Sequence, residues 1–298
     1  MQQPLVSVGV PTYNRPATLE RTLKSIVEQS YKNLEIIVSD NGSSDFEVEK
    51  VIQGFTSDPR VTYFRHPVNK GASFNFDFVL ERAGGDYFMR LADDDWIDKN
   101  FIRNCISFLS ANPDYTAACG KTCLYSLSGD FVKYDPPISL DQEDIFKRLS
   151  YYYGNVEQNG IYYSLIRKKF KHLVKSDIRL GSDWVAVARL AFEGKLKLIE
   201  DTHLNLTMGG VGSSMESIVN TFGLSEFARR FPQLSIALNA FEDIMWNAKV
   251  YRKINVLKRL KLAATCFMVI FRRFNVAAEI RGRYRVYLKS VFFGPKPR

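Results

Sequence analysis

Three consecutive aspartates, Asp93, Asp94 and Asp95, follow the apolar run Tyr87-Phe88-Met89-Arg90-Leu91 and stand directly before Trp96. Adjacent carboxylates repel one another, and a divalent cation relieves them. Hard Mg²⁺ or Mn²⁺ takes carboxylate oxygen together with the oxygens of a substrate phosphate. The competing reading is that the acids cap a helix starting near Asp98, where they favour its dipole. One aspartate would serve for that. A second group, Pro11-Thr12-Tyr13-Asn14-Arg15-Pro16, gathers a ring, two small hydrogen-bonding side chains and a cation. Tyr13 can stack on a base and Arg15 can approach phosphate, although the same residues also make an ordinary turn. Asp40 opens the dense turn Asp40-Asn41-Gly42-Ser43-Ser44-Asp45. It is either an Asx-turn residue or an acceptor for the imide proton of uracil or thymine.

The elements that must position these groups alternate in type. Val6 to Val10, Leu34 to Ser39, Val61 to Phe64 and Tyr87 to Leu91 read as buried strands. Between them, Pro16 to Gln29, Phe46 to Phe55 and Ala72 to Ala83 read as helices, the first with Leu19, Leu23, Ile26 and Val27 on one stripe. This alternation predicts an α/β fold of parallel strands with right-handed crossovers, whose ligands bind beyond the carboxyl ends of the strands. The polar clusters lie at those ends: Thr12 to Arg15, Asp40, Asn69-Lys70-Gly71, and Asp93 to Asp95. From Tyr115 to Ser214 the pattern is mixed. Strand-like runs cover Tyr115 to Leu127, Gly160 to Ile166 and Leu196 to Ile199, and a helix begins at Ser182. The stretch Gly209-Gly210-Val211-Gly212-Ser213-Ser214 marks the expected end of this unit, and helices follow.

The chain has 298 residues, is 46% hydrophobic and carries a formal net charge of +9. That composition is globular and excludes a disordered or fibrous chain. Its charge is unevenly spread. Of the 41 Lys and Arg and 32 Asp and Glu, 14 bases and one acid, Glu279, lie from Lys249 onward, so the tail carries +13 and the rest −4. The uncharged run Leu262 to Phe271 is ten residues, about half of a bilayer span. A basic amphipathic helix on an anionic membrane surface is therefore expected for 216–298, against a helix packed on the domain with its charged face in solvent. Nucleic acid is a weaker partner, since no binding motif accompanies the charge. Four cysteines without paired spacing read as buried free thiols, and the N-terminus carries no secretory signal. Both point to the cytoplasm, on the inner face of the cell membrane.

Val8-Gly9-Val10-Pro11-Thr12-Tyr13-Asn14-Arg15, Ser39-Asp40-Asn41-Gly42-Ser43, Asn69-Lys70-Gly71 and Leu91-Ala92-Asp93-Asp94-Asp95-Trp96 together resemble the inverting family 2 glycosyltransferases of GT-A fold. The resemblance covers roughly residues 5 to 215, with four motifs in the family's order. It implies a Rossmann-like, mostly parallel sheet with helices on both faces and a C-terminal helical extension. The donor half would be 1–110 and the acceptor half 111–215. It also implies that Pro11, Thr12, Tyr13, Arg15, Asp40, Asn69, Lys70 and Gly71 surround the donor. Asp93 or Asp94 would lie near the ribose, and Asp95 with Asp93 would hold Mg²⁺ or Mn²⁺. The family often has Asp where this chain has Ala92, so the roles of Asp93 and Asp94 are interchangeable.

Gly181-Ser182-Asp183-Trp184, with Arg189-Leu190 and Glu193-Gly194-Lys195, extends the likeness. In similar enzymes an acid at this point is the base that inverting displacement requires, which makes Asp183 the catalytic candidate. Read from the residues alone, Ser182 is an N-cap and Asp183 the first helical residue, favoured there by the dipole. Many relatives supply a late His to the metal, whereas this chain has Leu206-Thr207-Met208-Gly209-Gly210; the nearby His203 is read as structural. The Gln-x-x-Arg-Trp motif of processive relatives is absent, and Arg229-Arg230-Phe231 does not replace it. The expected reaction is transfer of one sugar from a nucleoside diphosphate, UDP or dTDP, to a saccharide, including a lipid-linked one. Two alternatives compete with it: a sugar-phosphate nucleotidyltransferase, disfavoured because Pro11 to Pro16 lacks glycine, and a non-catalytic membrane or nucleic-acid module.

Overall fold

The structure is a computed structural model that describes residues 3–209 and 215–282. Nine strands form one sheet: β1 (Val6–Thr12), β2 (Leu34–Asp40), β3 (Val61–Arg65), β4 (Tyr87–Arg90), β5 (Trp96–Ile97), β6 (Tyr115–Tyr125), β7 (Phe131–Tyr134), β8 (Leu165–Arg167) and β9 (Lys195–Thr207). Their order is β3-β2-β1-β4-β8-β6-β9-β5, with β7 beside β6. β3, β2, β1 and β4 are mutually parallel, as are β6 and β9. β5, β7 and β8 run antiparallel to their neighbours. All seven residues of β1 are buried, so both faces of the sheet are covered there, as a parallel strand requires.

Among the described residues, ten α-helices accompany the sheet: α1 (Pro16–Val27), α2 (Phe46–Gln53), α3 (Ala72–Arg82), α4 (Phe101–Ala111), α5 (Ile145–Asn155), α6 (Ser182–Glu193), α7 (Met215–Phe222), α8 (Glu226–Arg230), α9 (Pro232–Glu242) and α10 (Val256–Arg273). Gly9 lets α3 approach β1, since a Cβ there would lie 2.7 Å from the Val79 side chain. Buried side chains from Val6 to Ile270 form one continuous core. All four cysteines are buried free thiols.

The donor-half elements match their expected ranges to within two residues at each end. The middle departs further. Gly160–Tyr163, expected as strand, is a 3-10 turn, and only Leu165–Arg167 pairs in the sheet. Gly160 is needed there because a Cβ would meet the Thr122 hydroxyl at 2.1 Å. Just before it, α5 ends at Asn155 and buries Tyr152 and Tyr153. Residues 210–214 of the glycine-rich stretch lie outside the described residues.

The C-terminal helices join the core rather than standing apart. Arg189 of α6 pairs with Asp243 at 2.5 Å and Asp177 at 2.8 Å. α10 buries Leu262, Ala263, Cys266 and Ile270, and it packs on α5 and α9. The packed-helix alternative therefore holds for that stripe. No helix among the described residues is long and apolar enough to cross a membrane.

Candidate active site

The carboxyl ends of β1, β2 and β4 meet at the aspartates. Thr12 donates its hydroxyl to Asp93 Oδ2 at 2.8 Å, and the Tyr13 amide reaches the same oxygen at 3.3 Å. Arg15 Nη1 donates to Asp93 Oδ1 at 3.1 Å and to Asp94 Oδ2 at 2.6 Å. Asp95 Oδ1 accepts the amide of Thr207, at the end of β9, at 2.9 Å. The helix-cap reading fails here. α4 begins only at Phe101, with Asn100 as its cap and β5 in between.

Electrostatics set these acids apart. Burial pushes the Asp93 carboxyl up to about 6 against the pull of Arg15, and Asp94 pushes in the same direction. Burial and the Asp94 charge drive Asp95 well above the usual carboxyl range. Two arginines do not neutralise three acids in so little water. Among the described residues, no group of three or more His, Cys, Asp or Glu side chains is placed to hold a metal unaided. A hard cation needs less than that, because one or two carboxylates suffice when substrate phosphate completes the shell. The oxygen-rich, under-compensated cluster fits such an ion.

Arg21 and Thr207 belong to this site although the motifs did not mark them. Arg21 Nη2 donates to the Asp94 carbonyl at 2.9 Å and to Thr207 Oγ1 at 3.0 Å, with its guanidinium 3.7 Å from the Trp96 ring centre. Their only signal is position: Arg21 on the helix after Arg15, and Thr207 where relatives carry a late His. His203 is held by Asp98 at 2.7 Å, in keeping with a structural role.

Asp40 makes the Asx-type contact, accepting the Ser43 amide at 2.8 Å, and it also accepts the Tyr63 hydroxyl at 3.2 Å. Asn41 clasps the next loop, donating to Asn69 Oδ1 and the Gly71 carbonyl and accepting from the Lys70 amide. Gly42, at φ +76°, is the hinge of this clasp, where a Cβ would lie 2.7 Å from the Val68 backbone. Behind it, buried Asn75 donates to the carbonyls of Thr12 and Ser39. Pro11 is buried in β1 and Tyr13 is 42% exposed, its ring free to stack.

Asp183 occupies the second position of α6. The N-cap is Gly181, at φ +75°, and not Ser182. The Asp183 side chain takes the amide of Asn159, Nδ2 to Oδ2 at 2.7 Å, and Asn159 Oδ1 accepts the hydroxyl of fully buried Tyr152 at 2.9 Å. Asn159 is itself left-handed, at φ +55°. Burial pushes the Asp183 carboxyl upward, and the Asn159 hydrogen bond opposes that rise. Tyr163 connects the two acid sites. Burial raises its phenol, and after burial the charges of Asp95, Asp94 and, more weakly, Asp183 do so too.

A profile of the family described as Glycosyl transferase family 2 matches residues 7–171. An uncharacterized glycosyltransferase of Haemophilus influenzae is 24% identical over 87% of this chain and 94% of its own length. A Campylobacter jejuni GalNAc(5)-diNAcBac-PP-undecaprenol beta-1,3-glucosyltransferase is 32% identical over 55% of this chain and 52% of its own. Among solved structures, S. aureus TarS 1-349 in complex with UDP-GlcNAc superimposes with a TM-score of 0.58 at 15% identity, covering 99% of this chain and 93% of that one. A mannosyltransferase from Pyrobaculum calidifontis in complex with GDP-Man and Mn²⁺ gives 0.53 at 16% identity, covering 98% and 82%.

Proposed function

This chain belongs to glycosyl transferase family 2, and we propose that it moves one sugar, with inversion, from a nucleoside diphosphate sugar to a saccharide acceptor. UDP or dTDP is the favoured donor nucleotide, and the acceptor is a lipid-linked saccharide at the inner face of the cell membrane. The nucleotidyltransferase and binding-module alternatives give way to the family match. One observation carries the reading: under-compensated carboxylates braced by Thr12, Arg15 and the Thr207 amide stand apart from a separate Asp183 held by Asn159, and both act on the phenol of Tyr163.

In this scheme Tyr13 stacks on the base, while Asp40, Asn69, Lys70 and Gly71 frame it alongside Pro11. Thr12 and Arg15 orient the acids, and Asp94 lies toward the ribose. Asp95 and Asp93 would hold Mg²⁺ or Mn²⁺, which when bound offsets charge on the departing diphosphate. Asp183 accepts the proton of the acceptor hydroxyl as that oxygen attacks the anomeric carbon. Its neighbour Asn159 keeps one carboxylate oxygen fixed, so the other faces the acceptor. A raised carboxyl is a better base near neutral pH than an ordinary one. The undecaprenol-linked saccharide in the name of the C. jejuni relative and the UDP-GlcNAc of the TarS complex support the choice of donor and acceptor class.

Thermal shift with UDP, dTDP and GDP, each with and without Mn²⁺, tests the donor reading. A metal-dependent rise in Tm is expected for UDP or dTDP. No rise with any of the three would end it.

A further inference from the structure

α10 is apolar on two faces. With about 100° per residue, Leu262, Ala263, Cys266 and Ile270 fall on the side that packs against α5 and α9. Leu257, Leu260, Ala264 and Met268 fall on the opposite side. These are not grazing exposures, since Leu257 is 75% exposed, Leu260 46% and Met268 40%. A surface helix ordinarily gives its outer face to polar residues. This one instead presents a second apolar stripe. Trp246, 59% exposed just before α10, adds a further exposed ring beside the helix, linked to it through ring contacts from Phe241 to Phe267.

The stripe is bordered by cations. Lys258, Lys261 and Arg272 flank it on α10, and Lys249 and Arg252 lie just before the helix, all exposed or nearly so. Among the described residues none of the five forms an ion pair, whereas neighbouring Lys253 is bound by Glu193. An exposed apolar face rimmed with unpaired cations, in a tail of +13, matches an anionic lipid surface. There the apolar side chains enter the boundary and the cations meet head groups. A second copy of the chain would bring the same cations against themselves and repel.

We propose that the outer face of α10, with Trp246, docks this enzyme on anionic lipid. The stripe packed on α5 and α9 takes no part. The position of the helix gives the docking a purpose. α10 ends at Arg273 and Phe274; Arg273 donates to the Tyr153 carbonyl at 3.0 Å, and Phe274 meets the Trp184 ring at 6.0 Å. Trp184 is the residue after Asp183. The end of the lipid-facing helix thus packs on the residue next to the candidate base, where a lipid-linked acceptor has to arrive. Only this last link rests on the transferase reading.

The experiment is co-sedimentation of the full chain with vesicles of equimolar phosphatidylglycerol and phosphatidylcholine, and with phosphatidylcholine alone. Wild type is expected to bind the anionic vesicles only. L257S/L260S/M268S and, separately, K258Q/K261Q/R272Q should each weaken that binding by more than about tenfold. Thermal melting shows that each variant is folded, and the UDP-with-Mn²⁺ shift should be unchanged in both. Three results would overturn the proposal: no wild-type binding to anionic vesicles, equal binding by folded variants, or a wild-type dimer that L257S/L260S/M268S dissolves. If vesicles bind but no nucleotide does, the transferase reading falls and the lipid-docking face stands.

Discussion

The aspartates after β4 and the aspartate at the start of α6 are buried or half-buried acids of one residue type, yet the fold treats them in opposite ways. The first site crowds three carboxylates and surrounds them with Arg15, Arg21, Thr12 and the Thr207 amide. Nearly every oxygen contact there is with a donor that could equally hold phosphate. The second site isolates one carboxylate, with a neutral amide from Asn159 as its side-chain partner. Both acids are raised, but for different reasons. Like charge adds to burial at Asp93 and Asp95, whereas burial stands alone in lifting Asp183. In the proposed scheme the crowded carboxylates take a cation, and the lone raised one takes a proton. Chemistry is thus divided between the sites by neighbours and not by residue type.

The largest expected effect is at the crowded site. D95A should cost about 10⁴-fold in kcat/KM, measured by release of nucleoside diphosphate in the presence of acceptor, and it should abolish the Mn²⁺-dependent shift with UDP. Retained metal-dependent binding in D95A would break the division of roles. D183N should cost about 10³-fold in transfer while leaving that thermal shift intact, the reverse pattern. A D183N enzyme with near-normal turnover would remove the base from α6.

The lone acid also predicts a stability difference of definite sign. The folded Asp183 pKa lies above its ordinary value of 3.8, so the fold prefers the protonated form. That contribution to stability is fully present below the ordinary value and is lost as pH rises through the folded one. D183N, neutral throughout, should therefore melt above wild type at about pH 8, and the gap should close toward about pH 4. Tm curves of the two proteins across that range check it. A gap of the opposite sign at alkaline pH would mean that the carboxylate is a stabilising structural group.

Legibility differs between the two sites in the same way. The donor half could be read because its strands are apolar runs separated by amphipathic helices, and its polar residues cluster at strand ends within short turns. Asp183 could be found by likeness, but its partner could not. Asn159 lies 24 residues earlier in a 3-10 turn without periodicity, and its fitness rests on a left-handed backbone that a sequence does not display. Ser182 looks like a cap in the sequence, but the chain enters α6 through Gly181 in the left-handed region, which no side-chain pattern shows. Thr207 holds Asp95 through its backbone amide, a group every residue but proline possesses. In α10 the apolar residues were visible, but which of two apolar faces is buried depends on α5 and α9. No pattern within one helix decides that.

The smallest effect gives the finest test of the lone acid. Asn159 opposes the upward push of burial on Asp183, so removing its amide should raise that carboxyl further. N159G is the clean variant, because glycine adopts the φ of +55° without strain while losing the side chain. Its kcat/KM should fall about tenfold near neutral pH, and the acid limb of the pH profile should move to higher pH. N159A should give the same profile and in addition lose about 1 kcal/mol of stability to the left-handed backbone. Tyr152 complicates the reading, since its buried hydroxyl also loses its acceptor in both variants. Y152F corrects for this: alone it should leave the acid limb in place, and combined with N159G it should restore stability but not the limb. Should the limb stay fixed in N159G, Asn159 would be a packing residue, and the isolation of Asp183 would rest on burial alone.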